Sequence, residues 1–217
     1  MRILGIAASL GRSSVAVTDG PAVLAEQTHP GGHGQSAVLA QLVHALFRPG
    51  TLDAIAVDIG PGSFTGLRAA ISLAQGLAAG AGLPVIGVTV AEALAEAAGD
   101  LAGRSLWVAI DSRRGRIFLD RDGRIESLAV ADLPMPDRPV ALAGDAATDI
   151  ACRLAARGAD VMLTSARQPL GRHVAFAAAR LHAAGTPPRA ALPVYVDPPE
   201  AKLPAGLRPA PLAAPLA

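Results

Sequence analysis

Apolar and polar positions change period along this chain, and each change marks an element. Residues 3–8 form a continuous apolar run that predicts a buried strand, and residues 13–18 alternate as a second strand. Asp19-Gly20-Pro21 predicts a hairpin turn, with residues 22–27 returning as a third strand. The period then lengthens. Residues 35–47 predict a helix, 54–59 a strand, 65–81 a helix, 85–88 a strand and 90–98 a further helix. Three hairpin-linked strands followed by alternating helix and parallel strand predict a mixed sheet covered by helices.

After Gly99 the pattern partly restarts. Residues 107–111 read as a strand ending in Asp111-Ser112-Arg113-Arg114-Gly115, and residues 116–120 as its hairpin mate. Strands at 140–143 and 161–164 alternate with helices at 146–157 and 171–184. The recurring strand–turn–strand opening predicts two related lobes, residues 1–98 and an abbreviated 99–203, with 192–196 as the last strand. Proline and alanine dominate beyond Gly185, and residues 204–217 read as a flexible tail.

Both main helices are apolar on more than one side. In residues 35–47, Leu39, Leu42, Val43 and Leu46 make the core stripe, and Val38 and Ala45 widen it. In residues 65–81, Leu67, Ile71, Ala74 and Ala78 face one way while Ala69, Leu73, Gly76 and Gly80 face another. The second surface is covered either by another chain or by the C-terminal lobe.

Between the strand at 54–59 and the helix that follows stands Gly60-Pro61-Gly62-Ser63-Phe64-Thr65-Gly66-Leu67-Arg68. Three glycines and a proline within seven residues imply unusual backbone angles and close approach by something else. The helix opening offers free N–H groups, so backbone chemistry admits two readings: a tight turn inside the core, or a phosphate-handling loop. No Gly-Lys-Ser/Thr follows, so it is not a Walker A loop.

Composition narrows the class. With 217 residues, 51% apolar and 17% charged, the chain is globular and long enough for one large domain or two small ones. A net charge of +1 excludes a strong whole-protein pull on nucleic acid. Lys202 is the only lysine, so arginine carries the positive charge. Cys152 is the only cysteine, which excludes an intrachain disulfide or a cysteine zinc cage. Met1 leads straight into a strand with no signal-peptide layout, which predicts a cytoplasmic protein. Residues 69–91 carry no charge, but Gln75, Gly76, Gly80, Gly82 and Pro84 interrupt them. A buried helix and strand account for the stretch, and no membrane span is predicted.

Catalytic constellations are thin. His29 and His33 are four apart, but Pro30-Gly31-Gly32 forbids the helix that would aim both at one metal. His44, His173 and His182 have no carboxylate at ligand spacing. Asp111, Arg113, Arg114 and Arg116 suit either phosphate or nucleic-acid binding or a solvated turn with local ion pairs. No Ser-His-Asp triad follows from spacing. No catalytic or metal-ligating residue is assigned.

The segment Leu52-Asp53-Ala54-Ile55-Ala56-Val57, the nine-residue glycine motif and Pro84-Val85-Ile86-Gly87-Val88 together resemble the bacterial TsaB (YeaZ) family. Supporting pieces are His33 before the first helix, Val108 to Gly115, Pro193-Val194-Tyr195, and Pro198-Pro199-Glu200-Ala201-Lys202-Leu203-Pro204. The likeness extends to about residue 204 and is densest through residues 52–94. It implies an α/β, actin-like ASKHA fold of two ribonuclease-H-like lobes. It also implies a part in making threonylcarbamoyladenosine beside the tRNA anticodon.

Departures from the wider group specify the part. The catalytic paralogue TsaD carries a His-x-x-x-His metal pair where this chain has Val90 and Leu94, neither of which can ligate a metal. The first strand of the family ends Asp-Thr-Ser, and here it ends Ala7-Ala8-Ser9 without a carboxylate. Val196-Asp197 replaces the usual Leu-Arg, so no role passes to the tyrosine motif. The resemblance therefore implies a non-catalytic scaffold for a TsaD-like catalytic subunit and a TsaE-like ATPase, with ATP and metal held by those partners. It implies a homodimer when alone and indirect contact with tRNA. The alternative is a stand-alone ATP-using phosphotransferase or peptidase of the same fold. The candidate nucleotide or partner loop is Gly60, Pro61, Gly62, Ser63, Phe64, Thr65, Gly66 and Arg68. The candidate partner interface is His33, Leu39, Leu42, Val43, Leu46, Ala69, Leu73, Gly76 and Gly80.

Overall fold

The computed structural model describes residues 1–31, 35–48 and 50–197. The first half lays down β1 (Arg2–Ala7), β2 (Arg12–Asp19), β3 (Ala22–Pro30), α1 (Gln35–Leu46), β4 (Ala54–Asp58), α2 (Phe64–Ala81), β5 (Val85–Val88) and α3 (Val90–Ala98). The second lays down β6 (Ser105–Asp111), β7 (Arg116–Arg121), β8 (Arg124–Ala129), β9 (Val140–Ala143), α4 (Ala147–Ala156), β10 (Val161–Leu163) and α5 (Gly171–Ala183). The two sheets repeat one plan, with strand orders β3-β2-β1-β4-β5 and β8-β7-β6-β9-β10. In each, three antiparallel strands are extended by two parallel ones.

Strand period 2 divides the first core cleanly. Leu4, Ile6, Ile55, Val57 and Ile59 point at α1 and α2, where they meet Leu39, Val43, Ala70, Ile71 and Ala74. Ile3, Ala7, Ala54 and Ala56 point the other way, onto Val174, Ala175, Ala177 and Ala178 of α5. That second face is built from small residues because α5 lies very close. A Cβ on Gly5 would stand 2.0 Å from the Gly171 carbonyl oxygen, so both positions need glycine.

Packing crosses the boundary read from the sequence between residues 98 and 99. Residues 99–203 were expected to form the second lobe, but α5 within them covers the first sheet. Conversely, Val90 and Leu94 of α3 join Leu10, Val108, Ile110 and Ala143 in a cluster that binds the two sheets together. Each half of the chain thus supplies a helix to the core of the other.

Two local expectations also change. Residues 192–196 are not a strand: Pro193 has no N–H, and the segment runs as an irregular strap. Its ladder is reduced to two anchors, Arg189 O accepting from Gly87 N at 2.9 Å and Val194 N donating to Ile59 O at 2.8 Å. Strand β8 was not predicted, yet it pairs with β7 along its whole length. The turn between them is Asp122-Gly123, with φ of 54° and 82°, the left-handed pair that a two-residue hairpin demands. The expected tail 204–217 lies outside the described residues.

Candidate functional site

The glycine loop is where β1, β4, α2, α3 and the strap converge. Its geometry begins with Asp58, which ends β4 and is fully buried. Both carboxylate oxygens accept from Ala8 N, at 3.2 and 3.1 Å, and one also accepts from Ser9 N at 3.0 Å. Burial pushes this carboxyl above its usual range, against hydrogen bonds from Ser9 and Ala8 that favour the charged form.

The same dipeptide is gripped from the opposite side by the loop. Ser63 N donates to Ser9 O at 2.6 Å. A Cβ at Gly62 would stand 2.1 Å from the Ser9 carbonyl oxygen, and one at Gly66 2.1 Å from that of Ala8. The glycines are therefore required by close approach of the chain's own backbone. Gly60 adopts φ +97°, its peptide to Pro61 is cis, and its carbonyl accepts from Val90 N at 3.0 Å. Ser63 caps α2, its hydroxyl oxygen accepting from Gly66 N at 3.3 Å.

On the solvent side of the loop the residues are large. Phe64 is 57% exposed and Tyr195 52%, with ring centroids 6.1 Å apart. The Arg68 guanidinium lies 3.8 Å from the Phe64 centroid, and its Nε donates to the Tyr195 hydroxyl at 3.0 Å. Tyr195, to which no role was assigned from sequence, is thus brought to Arg68 from 127 residues away. Thr65 is exposed beside them, and Pro61 is buried beneath.

The predicted interface residues separate into three groups. Leu39 and Val43 are core residues, 1% and 2% exposed, and present nothing to a partner. Leu42, Leu46 and Leu73 are half-buried against that core, and Ala69 is half-buried on α2. Gly76 and Gly80 are exposed with open space above them. His33 lies outside the described residues, as does the segment from Pro198 onward.

Positions that matter for catalysis in the resembled group are apolar and closed. Val90 and Leu94 are fully buried between the lobes, and Ala7 is fully buried beneath α5. A carboxylate at Ala7 would enter an alanine-lined core. Among the described residues no three His, Cys, Asp or Glu side chains gather as a metal site.

The second lobe repeats the Asp58 device. Asp145, just past β9, accepts from Asp111 N at 2.9 Å, and burial again raises the carboxyl. Arg113 pairs with Asp145 at 3.2 Å and Asp111 at 3.5 Å, while Arg116 is bound to Ser127. Arg113 thus pairs within the hairpin through Asp111 and beyond it through Asp145, which fits the solvated-turn reading only in part. Asp58 itself was missed from sequence. Its signal was an acid at the end of an otherwise apolar strand, which only buried donors can accommodate.

A sequence-family model described as "TsaD: tRNA N6-adenosine threonylcarbamoyltransferase" matches residues 35–151, from α1 into α4. A 124-residue alignment gives 39% identity with the tRNA threonylcarbamoyladenosine biosynthesis protein TsaB of Escherichia coli, over 54% of this chain and 53% of that protein. The chain belongs to the TsaB family. The corresponding Haemophilus influenzae protein is 44% identical over 71 residues, 32% of this chain and 30% of that one. The chain thus spans about half the length of the first of these relatives and under a third of the second. YeaZ from Pseudomonas aeruginosa superposes with a TM-score of 0.71 at 25% identity, covering 89% of this chain and 99% of that one. A second Pseudomonas aeruginosa structure, of a protein with similarity to peptidase YEAZ, gives a TM-score of 0.74 at 23% identity, covering 90% of this chain and 99% of that one. Two mixed five-stranded sheets of one plan, with helices packed on them, form the two-lobed α/β arrangement that the resemblance to this family implies. No described helix is long and apolar enough to cross a membrane.

Proposed function

We propose that this chain is a non-catalytic subunit in tRNA threonylcarbamoyladenosine biosynthesis. It acts in the cytoplasm by supporting a TsaD-like catalytic protein, together with a TsaE-like ATPase that supplies ATP turnover. The observation that carries the reading is the burial of Val90 and Leu94. Where the catalytic paralogue needs two metal-binding histidines, this chain uses the same two helical positions to join its lobes. The apolar burial of Ala7 points the same way, since the strand-one acid of kinases with this fold has no place there. ATP and metal then belong to the partner subunits, and contact with tRNA is indirect.

What the chain offers a partner is surface. The exposed side of α2 carries Gly76 and Gly80, flanked by half-buried Ala69 and Leu73, and α1 beside it adds half-buried Leu42 and Leu46. A partner helix approaches closely where side chains are small. In isolation the same surface supports pairing with a second copy.

The test is reconstitution with the TsaD-like and TsaE-like proteins of the same genome, reading threonylcarbamoyladenosine formed on tRNA. Modification should require all three proteins, and this chain alone should neither hydrolyse ATP nor transfer the carbamoyl group. Turnover by this chain alone, removed by a point change within it, overturns the proposal in favour of a stand-alone enzyme.

A further inference from the structure

The cluster of Phe64, Arg68 and Tyr195 ties the strap to the start of α2, yet most of its surface is left open to solvent. Two aromatic side chains more than half exposed stand around one guanidinium, and Leu192, three residues before Tyr195 on the strap, is 64% exposed. A folded monomer gains little from this arrangement, whereas exposed aromatic and arginine side chains are the residue types that dominate binding energy at protein interfaces. The guanidinium is also pre-oriented. Its Nε is held by the Tyr195 hydroxyl and its plane lies close to the Phe64 ring, so little rotamer freedom remains to be lost on binding.

Charge selects the occupant. Among the described residues no carboxylate pairs with Arg68. Neither α1 nor α2 contains an acidic residue, and residues 69–91 carry no charge at all. Cations as sparse as Arg68 and, at the far end of α1, Arg48 are a poor match for a nucleic acid, which is held by rows of cations against successive phosphates. It suits one carboxylate set among apolar side chains. A second copy docking through the same two helices brings no such carboxylate, because its helices are equally free of acid.

We propose that Phe64, Arg68 and Tyr195 form the polar anchor of a heterologous protein interface, in which Arg68 receives a carboxylate from a partner of different sequence. The proposal rests on the reading that a catalytic subunit docks on α1 and α2, and it adds a reason for that site to prefer the other protein over self-association. Tyr195 is a positioning residue that sets the Arg68 rotamer.

The experiment is titration calorimetry of the full chain against the TsaD-like protein of the same genome at several salt concentrations, with light scattering of the chain alone. Arg68→Ala should weaken heterologous binding roughly 10- to 100-fold, as removal of an interface hot spot does. Arg68→Glu should weaken it further, Arg68→Lys should retain part of it, and Tyr195→Phe should cost less than Arg68→Ala. The salt dependence of affinity should flatten in Arg68→Ala, and self-association should be unchanged. Because Arg68 is exposed, circular dichroism should report intact folding in every variant. If the wild-type pair binds and all Arg68 variants bind within twofold of it, the anchor is refuted while the scaffold reading stands. If the wild-type chain does not bind the TsaD-like protein at all, both fail. Loss of self-association in Arg68→Glu with unchanged heterologous affinity, or Arg68-dependent binding of an RNA hairpin in place of the protein, also overturns the proposal.

Discussion

Asp58 holds Ser9 by its backbone: the carboxylate oxygen at the end of β4 accepts the Ser9 N–H at 3.0 Å, while the Ser9 carbonyl accepts Ser63 N at 2.6 Å. The two peptide units that flank the Ser9 Cα are thereby fixed from opposite directions, one by a buried acid and the other by the glycine loop. The carboxylate is held by two main-chain donors, so the position of α2 depends on an acid that no solvent reaches.

This arrangement sets a pH dependence. Burial raises Asp58 above 3.8, so the folded state binds its proton more tightly than the unfolded chain does. Between 3.8 and the raised folded value, stability attributable to Asp58 falls as pH rises, and it is constant above that window. Asp58→Asn should abolish this slope. His173 acts in the opposite sense: burial, then the Arg172 charge, lowers it from 6.5 to about 4, so its contribution is lost as pH falls through that interval. Urea midpoints measured from pH 4 to 7 for the wild type, Asp58→Asn and His173→Gln should resolve the two, because contributions common to all three cancel in the differences. Parallel curves for all three proteins would refute both assignments.

The glycines of the loop differ from those later in α2, and substitution should separate them. Gly62→Ala and Gly66→Ala each place a Cβ 2.1 Å from a backbone carbonyl oxygen, which cannot swing aside as a side chain does. Each should cost at least about 1–3 kcal/mol, the range for overpacking, and the valine variants more. Denaturant unfolding checks this. Wild-type stability in both alanine variants would mean that β1 and the loop can move apart.

Much of this architecture was legible because it is local. The change from period 2 to period 3.6 marks β1 to α3 to within a few residues, and the strand–turn–strand repeat near residue 107 anticipates the second sheet. What was not legible is where elements go. The small residues Ala175, Ala177 and Ala178 of α5 suit any close-packed sheet, and nothing local in them names β1 and β4 as the target. Leu39 and Leu73 look alike in sequence, because each helix has two apolar sides, yet one is core and the other half-exposed. The Phe64–Arg68–Tyr195 group depends on a strap returning from the far end of the chain, a contact that spacing cannot reveal. Strand β8 was readable: Asp122-Gly123 between alternating runs is a hairpin signal.

The strap should be separable from the rest of the fold. Arg189 bonds Glu92 through two nitrogens, at 2.6 and 2.9 Å, and Glu92 also closes the capping box of α3 with Thr89. Arg189→Ala should lower global stability by about 1 kcal/mol, since the pair is partly exposed on the Arg189 side. It should nevertheless speed proteolysis between residues 186 and 197, where backbone anchors are few. Mass spectrometry of a timed digest reads this directly. Equal cleavage rates in mutant and wild type would assign the strap's attachment to its remaining contacts: the backbone bonds of Gly87 and Val194, Gln75 on the Ala191 carbonyl and Arg68 on Tyr195.

Residues along α1 and α2 should divide stability from association. Leu39→Glu puts a carboxylate into a site 1% exposed with no donor to meet it, so the variant should unfold. Leu73 is only half-buried, and Leu73→Glu should remain folded by circular dichroism, yet lose the TsaD-like partner and become monomeric by light scattering. Gly76→Ala gives an independent arm. With open space around Gly76 and a helical backbone, alanine should stabilise the isolated chain by about 0.5–1 kcal/mol. On a seam where a partner helix passes closely, the same methyl group should weaken association. A variant that melts higher and binds less tightly cannot be explained by general damage to the fold. If Gly76→Ala and Leu73→Glu both fold and both bind the partner with wild-type affinity, the seam does not run along this side of α2.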